Sequence, residues 1–532
     1  MKIILTLKKV ALLAIIPFAL VNCSEDVPEI KNSTRFNLIA SVDNLLMVGS
    51  VDFKKLMAES DFENSPNFLM EYNMMYKMVV RDMIDSDLLG VKMEGNNHFA
   101  IGMKEGDTDP LIVFTAPIIN PDKVKAGVKD FFKGNYTAPT KEDVYHYISE
   151  DNAVLAWDDK DIIVVAKDKG SDDLKKEAKR LLDARFVDAP ANETLAKFLE
   201  RTDDMNFYLN SGLSLKIAEK ENKEELKLPE DFKKAFEDSY YLAYGNFENG
   251  SILFNYEYIA PNFKSSPYNF LGDKPASAEF LNFLSADNKL IGFFAASINL
   301  GVLIETVKKT NPDAEFEISN IEKEIGAAPG SLQKLFTGEM AVSFVDMTIP
   351  AADMDAADMA TSDMDDFDMD YYAPEPKPEV IFTVGINDMN AINSMLTTSK
   401  LINNGSYYSM EEAFLVIVSN KLVVTTNEDV AIKLASGASL PAYELPSGVE
   451  MKSPMFGFLN TNTARIPNGL MATASTEEGQ AALEFLDLFE SITMEGTIEK
   501  AEVKITMKNK GENALKVITD YILKLASSNQ AI

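Results

Sequence analysis

Two tandem α+β halves, each a mainly antiparallel sheet with helices packed on it, are what this 532-residue sequence predicts. Three observations lead there. Most strand-like apolar segments are followed by another through a short turn, which favours antiparallel pairing. Helical segments interrupt in blocks, as expected where helices cover one face of a sheet. The order of elements from Asn37 to residue 275 recurs from about Asn282 to the C-terminus, so residues 37–275 and 276–532 read as two copies of one module, too long a period for a solenoid.

Each copy opens alike. Ser41-Val42-Asp43-Asn44 precedes an apolar strand and then Ser50-Val51-Asp52-Phe53-Lys54-Lys55-Leu56-Met57; Ser285-Ala286-Asp287-Asn288 precedes a strand and then Ser297-Ile298-Asn299-Leu300. Asp52 and Asn299 stand at the switch from strand to helix, where a short polar side chain accepts from the first free amides. Helical segments follow at Pro66–Ser86 and Ile318–Phe336. Strand pairs come next, His98–Met103 with Leu111–Ala116, and Glu339–Val345 with Val380–Gly385. Asn120-Pro121-Asp122 and Asn387-Asp388 open helices with acid in the first turn, which offsets the helix dipole. Hairpins then turn at Asp158–Lys160 and Ser419–Lys421, and helices are expected at Asp172–Leu182 and Glu428–Ala435.

The close of each copy also matches. Asn206–Asn210 corresponds to Met455–Asn460, and a helix and two strands end each half: Asp231–Ser239, Tyr240–Asn246 and Ile252–Ile259 against Glu478–Phe489, Ile492–Thr497 and Glu502–Met507. Pro, Ser, Asn and Gly cluster at Pro261–Ser277, marking the linker. A last helix, Asn513–Ala526, carries Leu515, Ile518, Ile522 and Leu525 on one face and reads as a docked cap.

The N-terminus says where the chain works. Lys2, Lys8 and Lys9 precede an apolar run from Val10 to Val21, the layout of an export signal over residues 1–22. The run is too short to span a bilayer, which takes about 20 residues. Leu20-Val21-Asn22-Cys23 resembles a bacterial lipobox, in which Cys23 would be lipidated and become the mature N-terminus; Asn22 departs from the small residue usual there. Cys23 is the chain's single cysteine, so no disulfide framework exists. The alternatives are a plain secretory signal or a short anchor. Two or three acyl chains would hold such a protein stably, one only marginally. Ser24, Glu25 and Asp26 then begin an acidic, flexible tether over residues 23–36, reaching about 20 Å from the bilayer.

Charge narrows the partners. With 51 basic and 83 acidic side chains the net charge is −32, so nucleic-acid binding is excluded on electrostatic grounds. With 46% hydrophobic residues the body can still bury substantial cores.

The lipobox, the acidic tether and the strand, polar turn and Asp52-Phe53-Lys54-Lys55-Leu56-Met57 sequence together resemble the domain-of-unknown-function 4836 family of Bacteroidota lipoproteins. That resemblance implies an envelope lipoprotein and carries no catalytic residues over.

Candidate chemistry is sparse. An insert at 346–378 holds Asp353, Asp355, Asp358, Asp363, Asp365, Asp366, Asp368 and Asp370 among four methionines. Asp366, Asp368 and Asp370 begin a calcium-loop spacing, but Tyr371 stands where the turn needs Gly and Lys377 where a Glu should close it, which excludes an EF-hand. The insert reads as a disordered acidic loop, with Asp363, Asp365, Asp366, Asp368 and Asp370 as weak metal candidates. His98 and His146 are the only histidines, too few with one cysteine for a zinc site. No P-loop, Rossmann fingerprint or zinc-protease motif is present. Trp157 with Tyr371, Tyr372, Tyr407 and Tyr408 could stack sugars, against a default of core packing.

The expectation is therefore a cofactor-free, outer-membrane lipoprotein that binds or scaffolds an envelope or extracellular partner, at the surface or on the periplasmic face. Two alternatives stand beside it: an envelope hydrolase acting on glycans between the halves, and a calcium-responsive adhesion protein.

Overall fold

A computed structural model describes residues 34–529, apart from 69–89, 94, 96, 104–108, 132–134, 141–142, 151, 168–172, 188–191, 222–227, 264–267, 285–289, 311–313, 325–326, 349–376, 399–400, 411–412, 438–442, 462–476 and 498. The chain is α+β and divides into two compact units: residues 1–266 with 498–502 and 509–532, and residues 267–497 with 503–508. The terminal segment thus belongs to the first unit, where the sequence pattern had placed it in the 276–532 repeat.

In the first unit β1 (Leu45–Val51), β2 (Asn97–Gly102), β3 (Leu111–Pro117), β4 (Asn135–Thr137), β5 (His146–Ser149), β6 (Ala153–Trp157), β7 (Asp161–Ala166), β8 (Met205–Asn210), β9 (Tyr240–Glu248) and β10 (Ser251–Ile259) pair antiparallel. Their order across the sheet is 4-5-6-7-3-2-1-8-9-10. The second unit has β11 (Gly292–Ser297), β12 (Phe336–Thr348), β13 (Lys377–Ile386), β14 (Ile402–Asn403), β15 (Tyr408–Met410), β16 (Ala413–Val418), β17 (Lys421–Thr425), β18 (Met455–Asn460), β19 (Phe489–Gly496) and the larger part of β20 (Lys500–Met507), whose first three residues count with the first unit. Its order is 14-15-16-17-13-12-11-18-19-20, the same pattern with every number raised by ten.

Helices lie on both faces of each sheet, not on one. In β7 the alternation of side chains sends Ile163 and Val165 into a core with Leu181, Leu182 and Phe198 of the helices Leu174–Ala184 and Glu193–Leu199, while Ile162 faces Val124 of the helix Pro121–Phe131. In the second unit Val423 joins the core of Ala431 and Leu434, and Leu422 joins that of Ile392 and Leu396. A strand that is apolar on both faces must be covered on both.

Several boundaries differ from the sequence pattern. A helix starts at Thr34, inside the expected tether, and its Leu38 and Ile39 are buried. The Ile318–Phe336 segment is two helices, Ala314–Glu324 and Leu332–Leu335, with Phe336 already in β12. Phe489 begins β19 instead of ending a helix, which stops at Leu486. β12 and β13 extend into the ends of the insert, pairing Met347 with Pro378 and Thr348 with Lys377. The last helix, Ala514–Asn529, buries Ala514, Tyr521 and Leu523, whereas Ile522 is exposed. Asn513 fastens its start by donating to the Phe247 carbonyl at 2.7 Å.

Candidate functional site

The most unusual chemistry in the first unit lies where β1 gives way to the helix Phe53–Ser60. Period-two alternation puts Val48 and Ser50 on the same face of β1, toward the helix-covered core. Ser50 faces His98 of β2 on one side and Asn206 of β8 on the other; His98 faces Thr115 of β3, and Asn206 faces Tyr244 of β9. One row of five polar side chains thus crosses five strands. None exposes more than the 4% of Asn206. Among the described residues Ser50 Oγ, His98 Nε2, Thr115 Oγ1 and Asn206 Oδ1 have no hydrogen-bond partner. A buried orphan of this kind costs about 1–3 kcal/mol, so the row weakens the sheet that contains it.

His98 is held neutral. Burial, and then the Arg35 charge, push its pKa down to about 3. A guanidinium can only donate, so at 3.5 Å the Arg35 Nη1–H donates a hydrogen bond to His98 Nδ1 and the imidazole proton sits on Nε2.

Beyond the row the side chains are charged. Asp52 caps the helix Phe53–Ser60: its carboxylate accepts from the Lys55 amide at 2.9 Å and the Gly95 amide at 3.1 Å. Asp204, 1% exposed, accepts the Phe247 amide at 2.7 Å on Oδ2 and an ion pair from Lys55 on Oδ1. Lys55 Nζ also lies 3.8 Å from Glu59 Oε1. Burial first, then the Asp204 charge, push the Glu59 carboxyl up to about 7, with Lys55 pulling the other way. Hydrogen bonding to Asp204 in turn raises the Lys55 ammonium above its ordinary value. Lys55 pairs with both Asp204 and Glu59, and burial beside the Asp204 charge lets Glu59 keep a proton until near neutral pH. Asp52 and Asp204 are both engaged by amides or by Lys55. The group therefore holds a proton at Glu59 beside the ion pair of Lys55 and Asp204.

The sequence-derived candidates fall as follows. Cys23, and Asp363, Asp365, Asp366, Asp368 and Asp370, lie outside the described residues, as do Tyr371 and Tyr372. Among the described residues no three His, Cys, Asp or Glu side chains are arranged to hold a metal ion. His98 enters the polar row. His146 stacks on Trp157 with centroids 5.0 Å apart and bonds the Tyr136 hydroxyl at 2.9 Å. Trp157 is 1% exposed and so offers no stacking platform. In the second unit the Tyr407 hydroxyl donates to Glu428 at 2.6 Å and its ring packs on Phe414. Asp52 and Asn299 cap their helices as their sequence positions suggest, Asn299 accepting the Val302 amide at 3.2 Å. Glu59, Asp204 and Asn206 were missed as a group. The sequence signal was there in the polar alternation of Asp204, Asn206 and Tyr208, but their partner lies on β1.

No family model matches the chain, and no curated protein matches it. Among solved structures it is similar to TP0453 in crystal form IV, at 10% identity and a TM-score of 0.25, over 43% of this chain and 81% of that one. Crystal form I of TP0453 gives 7% identity and a TM-score of 0.24, over 44% and 81%. At these scores the likeness carries no inference.

Proposed function

We propose that this chain is an outer-membrane lipoprotein of the domain-of-unknown-function 4836 type, anchored through acylated Cys23, whose body binds or scaffolds an envelope or extracellular partner. The observation that carries the reading is the N-terminal sequence: Lys2, Lys8 and Lys9, the apolar run Val10–Val21, and the chain's single cysteine at its end. The matching strand orders support reading the body as two copies of one module. The engaged carboxylates and the neutral, buried His98 weigh against a hydrolase in the first unit. Metabolic labelling with an alkyne fatty acid tests the anchor. Label on the wild-type chain and none on Cys23→Ala is the expected result; an unlabelled wild type defeats the proposal.

A further inference from the structure

The two units carry opposite charges at the same point of the module. Each begins with a short helix, Thr34–Ala40 in the first and Ala278–Phe283 in the second. Counting back six residues from the matching Ser41 and Ser285 sets Arg35 against Glu279. The apolar faces of these helices are alike, with Phe36 and Ile39 buried in one core and Phe280 and Phe283 in the other. The strand beneath differs in the opposite sense. Asp161 opens β7 two residues before Ile163, which pairs with Thr115 of β3; Lys421 opens β17 two residues before Val423, which pairs with Thr383 of β13. Period two keeps Asp161 on the side of Ile163 and Lys421 on that of Val423, the side each helix covers.

These charges meet within each unit. In the second, Lys421, whose side chain is 9% exposed, donates to Glu279 at 2.6 Å, and its ammonium lies 5.6 Å from the centre of the Phe280 ring. In the first, Arg35 donates to His98 Nδ1 at 3.5 Å. The second unit has Ala341 in the place of His98, and a methyl group accepts nothing. Burial lowers the Arg35 pKa and the Asp161 charge opposes that shift, so the two groups act on each other. Asp161 also accepts from Arg185 at 2.5 Å, and Asp158 accepts from the same guanidinium at 2.6 Å. Two carboxylates against one guanidinium leave a negative charge for Arg35 to meet.

Tandem copies of one module are prone to exchange equivalent pieces as they fold. Only Ser41–Asn44 separates the first helix from β1, so helix and strand move as one piece. Size does not hold the strand to its own sheet, because Ser50 beside His98 and Ala295 beside Ala341 are both small and take the same position. One neighbour of that strand, β8 or β18, lies about 160 positions downstream, so the strand is open to the wrong sheet while it waits. Charge supplies the distinction. On the first sheet Glu279 would join Asp158, Asp161 and Arg185 and bring the local charge to two negatives; on the second, Arg35 would join Lys421 and bring it to two positives. Repulsion at the wrong contact is what separates two otherwise similar partners. We propose that these reversed charges match each helix and first strand to its own sheet and so keep the two copies of the module from exchanging them.

The test equalises the charges without breaking a pair. Glu279→Arg with Lys421→Asp keeps opposite charges within the second unit and gives it the signs of the first. Full-length Cys23→Ser chain, which carries no acyl group, is refolded from urea; sedimentation reads exchange between chains as dimer, and thermal melting reads exchange within one as a monomer that melts low. The double variant is expected to give at least about threefold more dimer or low-melting monomer than the parent chain. Glu279→Asp with Lys421→Arg, which keeps both signs, is expected to refold as the parent does. Arg35→Glu with Glu279→Arg makes both native contacts repulsive and both exchanged ones attractive, and should give the largest exchanged fraction. Should the equalised variant fail to fold, Glu279→Gln with Lys421→Gln removes the repulsion against Arg35 and should raise the exchanged fraction by a smaller factor. A folded equalised or neutral variant that returns native monomer in the parent's yield overturns the proposal, as does a sign-keeping variant that misassembles as often as the equalised one. Fatty-acid labelling at Cys23 is unaffected by any of these outcomes, so the two proposals fail separately.

Discussion

Replacing Glu59 with Gln should stabilise the first unit at pH 8 and do nothing at pH 4.5. The folded carboxyl titrates at about 7 against an ordinary 4.5, so the folded state retains a proton that the unfolded chain has released. For a group shifted in this direction the stabilisation is complete below pH 4.5 and is lost as pH rises through about 7. At roughly 1.4 kcal/mol per pH unit the full move would be about 3.4 kcal/mol. The side chain keeps 21% of its surface open, and solvent screening brings the expected effect to about 1–2 kcal/mol. Gln removes the charge and keeps the shape, so it should recover that amount at pH 8, about 2–8 °C in melting temperature for a unit of this size. Urea unfolding followed by Trp157 emission isolates the first unit, because Trp157 is the chain's single tryptophan. An equal difference between Glu59→Gln and wild type at both pH values would refute the charge argument, and a lower stability at pH 8 would reverse its sign.

Three further outcomes are expected in the same unit. Arg185, 2% exposed and donating to Asp158 at 2.6 Å and Asp161 at 2.5 Å, should cost about 3–5 kcal/mol as Arg185→Met, measured by urea midpoint, because two half-buried carboxylates lose their partner. Asp52→Ala should cost about 1 kcal/mol or slightly more, having abandoned the Gly95 amide as well as the cap, and Asp52→Asn should recover most of it. His98 is a base whose folded pKa is depressed, so its contribution is full above pH 6.5 and drains away toward pH 3. His98→Leu should therefore flatten the acid limb of a stability profile between those values, which thermal melts across that range would check.

Much of the fold was written locally. The hairpin of β16 and β17 turns where Ser419 and Asn420 take left-handed backbone, a conformation asparagine favours, and the caps at Asp52 and Asn299 follow from short polar side chains at a change of period. What escaped was short or non-local. β4, β5, β14 and β15 have two to four residues each, too few to show an alternation. Helices were expected on one face because the turns suggested a half-solvated sheet, yet Ile162 to Val165 bury both ways. The polar row was hidden for a different reason. Ser50, His98, Asn206 and Tyr244 are unremarkable singly, and only the register of five strands sets them side by side.

The strand order has a kinetic meaning. In each unit the first strand made is the one that ends in mid-sheet: Val48 lies against Tyr208, and Ala295 against Phe456, partners about 160 positions downstream, so both units have high contact order. Until β8 or β18 arrives, one whole side of that strand has no neighbour. A chain emerging N-terminus first therefore cannot close either sheet until most of the unit has been delivered. The pairing pattern thereby acts as a delay built into the topology, leaving the first strand of each unit half-paired until its late partner is made.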